Sequence, residues 1–122
     1  MSKFMYTCTY SPGSWARLMR MSDDRLKAGG ALVEALGGSV DDAFWEVSAR
    51  AVYVITEMPD STAAAAAAAV LTGTGAFKNV EAHEVLSQEQ FGNMLELADD
   101  TSQVYEAPGQ RLLQDDSSQS RF

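Results

Sequence analysis

A chain of 122 residues has the length of one domain, and with 46% apolar residues it can bury a core without staples. Its formal charge of −8 argues against a nucleic-acid footprint, which needs clustered Lys and Arg, and disfavours an anionic membrane surface. One cysteine, Cys8, excludes an internal disulfide framework, and no run approaches the ~20 apolar residues of a bilayer span.

The first residues, Met1-Ser2-Lys3-Phe4, enter a strand pattern with no signal-peptide core, so a cytoplasmic location is expected. Residues 3–10 alternate and are rich in β-formers, which predicts the first strand. Phe4, Tyr6, Cys8 and Tyr10 share one of its faces, and Met5, Thr7 and Thr9 the other. Ser11-Pro12-Gly13-Ser14 reads as a turn whose Ser14 caps a short helix carrying Trp15, Leu18 and Met19. Ser22-Asp23-Asp24 restarts the helix, with negative charge at its positive end. Leu26, Leu32, Val33 and Leu36 form its buried stripe. Gly29-Gly30 in mid-helix costs about 1 kcal/mol per residue against alanine. Close approach of another backbone and a flexible joint are the two explanations. Gly37 fits the left-handed position that ends a helix.

A second strand is expected over 39–47, with Ala43, Trp45 and Val47 on one face and Val40, Asp42, Phe44 and Glu46 on the other. Ser48-Ala49-Arg50 connects it to a third strand, 51–57, which is apolar on both faces. Pro59-Asp60-Ser61 stops that strand and opens a helix with an unbroken alanine run, 63–69. The run is either a simple strong helix former or a thin helix that leaves room beside the sheet. Phe77-Lys78-Asn79 reads as a turn into a fourth strand, 80–86. Ser87-Gln88-Glu89-Gln90 is a capping-box pattern before a short amphipathic helix with Phe91, Met94, Leu95 and Ala98. The expected division is a domain over 1–98 and an acidic, polar extension over 99–122.

This β-α-β-β-α-β order predicts a ferredoxin-like α+β fold with an antiparallel sheet and both crossover helices on one face. The other face would be wet, yet its strands carry apolar residues. A second copy packed sheet to sheet, as in a dimeric α/β barrel, would cover it. The alternative cover is the C-terminal extension.

The stretch Tyr10-Ser11-Pro12-Gly13-Ser14-Trp15 resembles the aromatic, turn and tryptophan signature of the GYD domain family. So do Leu36-Gly37-Gly38 before the Phe44-Trp45 strand, Met58-Pro59-Asp60 before an alanine-rich helix, and the glycine turn before Val80. The resemblance covers roughly residues 4–86. It implies a ferredoxin-like fold and a homodimer, and it brings no established activity with it. The chain departs from the family's Gly, Tyr and Asp signature between the second and third strands, where Ser48, Arg50 and Ala51 stand. No role attached to that tyrosine or aspartate carries over.

No metal or cofactor is expected. His83 has one face-sharing carboxylate, Glu81, which is a poor ligand set, and Gly73-Thr74-Gly75 lacks the lysine of a phosphate loop. Cys8 reads as a buried small hydrophobe. Two functions are consistent with these residues. The first is a non-catalytic ligand-binding or accessory protein, with Tyr10, Trp15 and Trp45 lining a cleft. Its partner-docking extension would be anchored by Val104, Tyr105, Leu112, Leu113 and Phe122. The second is a cofactor-free enzyme for a small apolar or aromatic substrate, with Tyr6, Asp42, Tyr53 and His83 as its polar groups. Asp42 and Glu46 would then need partners, Arg50 being one, and a carboxylate in an apolar cleft would titrate high.

Overall fold

Alternating residues of the first strand divide the protein into a packed side and an open side. The computed structural model describes residues 1–20 and 25–109. In β1, Ser2–Tyr10, the side chains of Phe4, Tyr6, Cys8 and Tyr10 are all buried, whereas Met5, Thr7 and Thr9 are half-buried. α1, Pro12–Arg20, and α2, Arg25–Ala35, lead to β2, Ser39–Glu46, and β3, Ala51–Met58. α3, Ser61–Gly73, and β4, Phe77–Val85, complete a compact unit over Met1–Val85. The remaining chain forms a separate unit, Leu86–Phe122, whose helix α4 spans Gln88–Thr101. Among the described residues no helix is long and apolar enough to cross a membrane.

The four strands run in the order β2-β3-β1-β4, with every neighbouring pair antiparallel. That is the ferredoxin-like arrangement, with β3 and β1 as its two central strands. The core joins Phe4, Tyr6, Cys8 and Tyr10 to Val52 and Met58 of β3, Val33 of α2, and Ala64 and Ala67 of α3. Trp15 and Leu18 of α1 pack against the same cluster, so the helices of this unit share one sheet face. The opposite face carries Met5, Thr7, Tyr53, Ile55 and Glu57, all half-buried, and Phe44, which is 58% exposed.

Local sequence explains most boundaries. Helix α2 ends in a Schellman arrangement: Gly38 N–H donates to Val33 O at 3.0 Å and Gly37 N–H to Glu34 O at 3.0 Å. Gly37 has φ +89°, a conformation that glycine adopts without penalty. Asp60 caps α3 through Ala63 N–H at 2.8 Å. Ser87 and Gln90 form the expected reciprocal capping box of α4.

Three local expectations change. The cap of α1 is Ser11, whose Oγ accepts from Ser14 N–H, because Pro12 already occupies the first helical position that its fixed φ favours. Ser14 Oγ instead accepts from Arg17 Nη2 at 3.1 Å. Val40 lies on the packed face, opposite Thr56, because the register shifts between Val40 and Asp42 and leaves Asp41 as the extra residue of a bulge. Asp41 then reaches Lys3 at 2.7 Å, and Lys3 also holds Glu57 at 2.7 Å. The residues 77–79 belong to β4 rather than to a turn. A second register shift lets Phe77 pair with Tyr10, and the two ring centroids lie 4.8 Å apart with their planes tilted by 36°. The cap expected at Ser22-Asp23-Asp24 and the anchors Leu112, Leu113 and Phe122 lie outside the described residues.

Candidate functional site

A cavity of about 130 Å³ lies between the packed sheet face and helices α2 and α3. Its floor is built by Tyr6, Cys8, Val52, Val54 and Thr56, which alternation directs inward from the two central strands. Tyr10, Trp45 and Phe77 give it an aromatic end. Leu26, Gly29, Gly30, Leu32 and Val33 of α2 form one wall, and Ala67 and Leu71 of α3 another.

The polar atoms around the cavity are largely committed within the protein. Tyr6 OH donates to the backbone carbonyl of Ala64 at 2.8 Å, a reach made possible because alanine keeps α3 thin at that point. Thr56 Oγ1 donates to Phe4 O at 3.2 Å, and Trp45 Nε1–H donates to the Tyr10 hydroxyl at 3.2 Å. Cys8 is 1% exposed, and burial pushes its thiol up from 9.0 to about 11. Near neutral pH it is a protonated thiol, the form that is neither nucleophile nor metal ligand. Burial raises the Tyr6 phenol as well, with a further contribution from Cys8.

Of the residues expected at a site, Tyr6, Tyr10 and Trp45 line the cavity. Trp15 stands behind them, its ring 5.7 Å from that of Tyr10. Asp42, Tyr53 and His83 sit on the open sheet face, opposite Ile55, Phe44 and Met5 respectively in the strand registers. The fold thus places Tyr6 on one side of the sheet and the other three polar candidates on the other side. Tyr53 OH and Ser48 Oγ donate to Glu46, and these bonds hold its carboxyl below the usual range, the reverse of a carboxylate in an apolar cleft. Asp42 Oδ1 accepts from Ala43 N–H at 2.8 Å. His83 lies 3.1 Å from Glu81 with half of its side chain exposed. Among the described residues no group of three or more His, Cys, Asp or Glu could hold a metal ion.

The family model of the GYD domain matches residues 4–95. The chain belongs to the GYD domain family. No curated protein and no solved structure matches it. In this GYD domain protein two altered signature positions, Ser48 and Arg50, fall in the tight turn 47–50 between β2 and β3, and the third, Ala51, is the buried first residue of β3. In the turn Arg50 takes a left-handed φ of 52°, and its carbonyl accepts from Tyr10 N–H at 2.9 Å. The turn therefore shapes the backbone next to the aromatic end of the cavity while its side chains stay exposed.

The glycine pair of α2 and the residues Phe77, Ala67 and Leu71 were not marked as cavity-lining by the sequence pattern. Two of these carry a sequence signal: the glycine pair, as an unfavourable dipeptide inside a helix, and Ala67, as part of the alanine run that reads as a thin helix leaving room beside the sheet. A Cβ added at Gly29 or Gly30 would meet no atom within 4 Å, so close backbone approach is not the reason for either glycine.

Proposed function

We propose that this GYD domain protein is a non-catalytic binding module, which holds a small ligand between its sheet and helices α2 and α3 and pairs with a second copy through its open sheet face. The observation that carries the reading is the cavity of about 130 Å³, whose polar atoms serve internal hydrogen bonds and whose thiol is held protonated. A binding site needs shape and apolar surface. A catalytic one needs a poised acid, base or nucleophile in addition. The dimer is supported by Met5, Tyr53, Ile55 and the 58% exposed Phe44 on one continuous sheet face. After α4, Val104 and Tyr105 are 81% and 72% exposed, which supports an accessory role in which that segment docks to a partner protein.

Native mass spectrometry of the full chain tests the reading. The expected spectrum shows a dimer that takes up small fragments in integer steps. A monomer that takes up no fragment overturns both parts of it.

A further inference from the structure

We infer that the ligand of this cavity is a compact, uncharged, apolar molecule with a single ring of about six to eight heavy atoms. The inference rests on the binding reading above and narrows it to a chemical class.

Volume sets the size. A cavity of roughly 150 Å³ lined by aliphatic and aromatic side chains stays dry and accepts benzene, whereas sites for drug-sized ligands run from roughly 300 to 1,000 Å³. At about 130 Å³ this cavity belongs with the first group. A nucleotide, a flavin or a fused polycycle is too large to be enclosed in it.

Hydrogen bonding sets the polarity. Tyr6 OH, Thr56 Oγ1 and Trp45 Nε1–H each have an internal acceptor. A ligand carboxylate turned toward the floor can only accept, so it would either break one of these bonds or stay unpaired, and both outcomes disfavour an anionic guest. Arg25 also lines the cavity and has an interaction of its own, so an anionic ligand would have to compete with that partner for it. Shape favours a ring: Tyr10, Trp45 and Phe77 present aromatic surfaces together at one end.

Cys8 supplies the assay, because it is the sole cysteine, lines the cavity and is 1% exposed. Its alkylation by iodoacetamide, followed by intact mass, is measured on the full chain with toluene, with benzoate and with neither. Toluene is expected to slow the reaction saturably, by about tenfold at ten times its half-effect concentration. Benzoate at equal concentration is expected to leave the rate unchanged. If benzoate protects as well as toluene or better, the ligand class is wrong while binding at the cavity stands. If neither compound protects, both the inference and the binding reading fall. The variant Ala43→Leu, which fills part of the cavity, should abolish protection by toluene, and protection that survives it places toluene elsewhere and overturns the inference. The Trp45 indole N–H resonance of the wild-type chain gives a readout that needs no variant. It should shift on titration with toluene, and an unmoved resonance also counts against the inference.

Discussion

Replacing Gly29 and Gly30 together by alanine should stabilise the protein by about 2 kcal/mol. Each glycine in a helix interior costs about 1 kcal/mol against alanine, because it loses more backbone freedom on folding. Two terms could offset the gain, and both are missing. Neither glycine has a positive φ, and a Cβ built on either finds no atom within 4 Å. The expected gain is about a 30-fold change in the folding equilibrium, or roughly 6–10 °C in Tm for a chain of this length. Urea titration followed by far-UV circular dichroism measures it, with an unchanged slope expected. Stability that is unchanged or lower would refute the reasoning, since it would mean that α2 is not a regular helix through this pair. The same variant tests why the glycines are there. If α2 is the wall that opens to admit ligand, alkylation of Cys8 in the absence of urea should slow in step with the gain in stability. A more stable protein with an unchanged alkylation rate would place the opening elsewhere.

Gly38→Ala should act in the opposite sense, because its Cβ would fall inside contact distance of the Glu57 carbonyl and 2.6 Å from Met58 Sδ; a loss of about 1–3 kcal/mol in urea is expected, and tolerance would contradict this close approach. Alkali should destabilise the fold through Cys8: between pH 9 and about 11 the unfolded thiol ionises while the buried one stays protonated, so the unfolded state binds fewer protons and stability falls. The loss should reach about 2–3 kcal/mol, and Cys8→Ala should flatten the curve in that window; parallel curves would refute the assignment. If the wild-type chain forms the proposed sheet-to-sheet dimer, Ile55→Lys on the open sheet face should convert it to a folded monomer by light scattering, and a variant that is still dimeric would move the interface elsewhere.

The parts of the fold legible in the sequence are those fixed by local chemistry. The alternation of Phe4, Tyr6, Cys8 and Tyr10 marks a packed strand face. Gly37-Gly38, Asp60 and the Ser87–Gln90 pair mark helix ends through backbone hydrogen bonds made within a few residues. The bulges were hidden because each depends on a partner strand. Asp41 leaves the ladder of β2 and meets Lys3, 38 residues away, and nothing near Asp41 in sequence announces that pairing. Phe77 likewise joins β4 because Tyr10 offers it a ring. The aromatic lining by Tyr10 and Trp45 could be anticipated from the face on which each lies. A cleft beside the thin alanine helix could be anticipated too, but its size and full lining could not, because a void is what several side chains fail to fill, and Gly29, Gly30, Ala67 and Ala43 come from three separate elements.

Small residues on α2 and α3 have different physical consequences, and together they define the site. In α3 the alanine run brings the helix backbone close enough for Tyr6 to bond the Ala64 carbonyl, and Ala64 and Ala67 are both buried against the sheet. A Leu at 64 would separate that pair and lift the helix. This wall is fixed. In α2 the small residues are glycines, which weaken the helix itself, and Val33 is the residue that it buries. That wall is soft, and it meets a floor whose hydroxyl and indole groups are already bonded. Catalysis depends on preorganised polar groups held at fixed distances from the reacting atoms. A wall of alanines bonded to the sheet, a wall weakened by two glycines and a floor of internally bonded side chains fit the proposed reading of a module that binds a ring without transforming it.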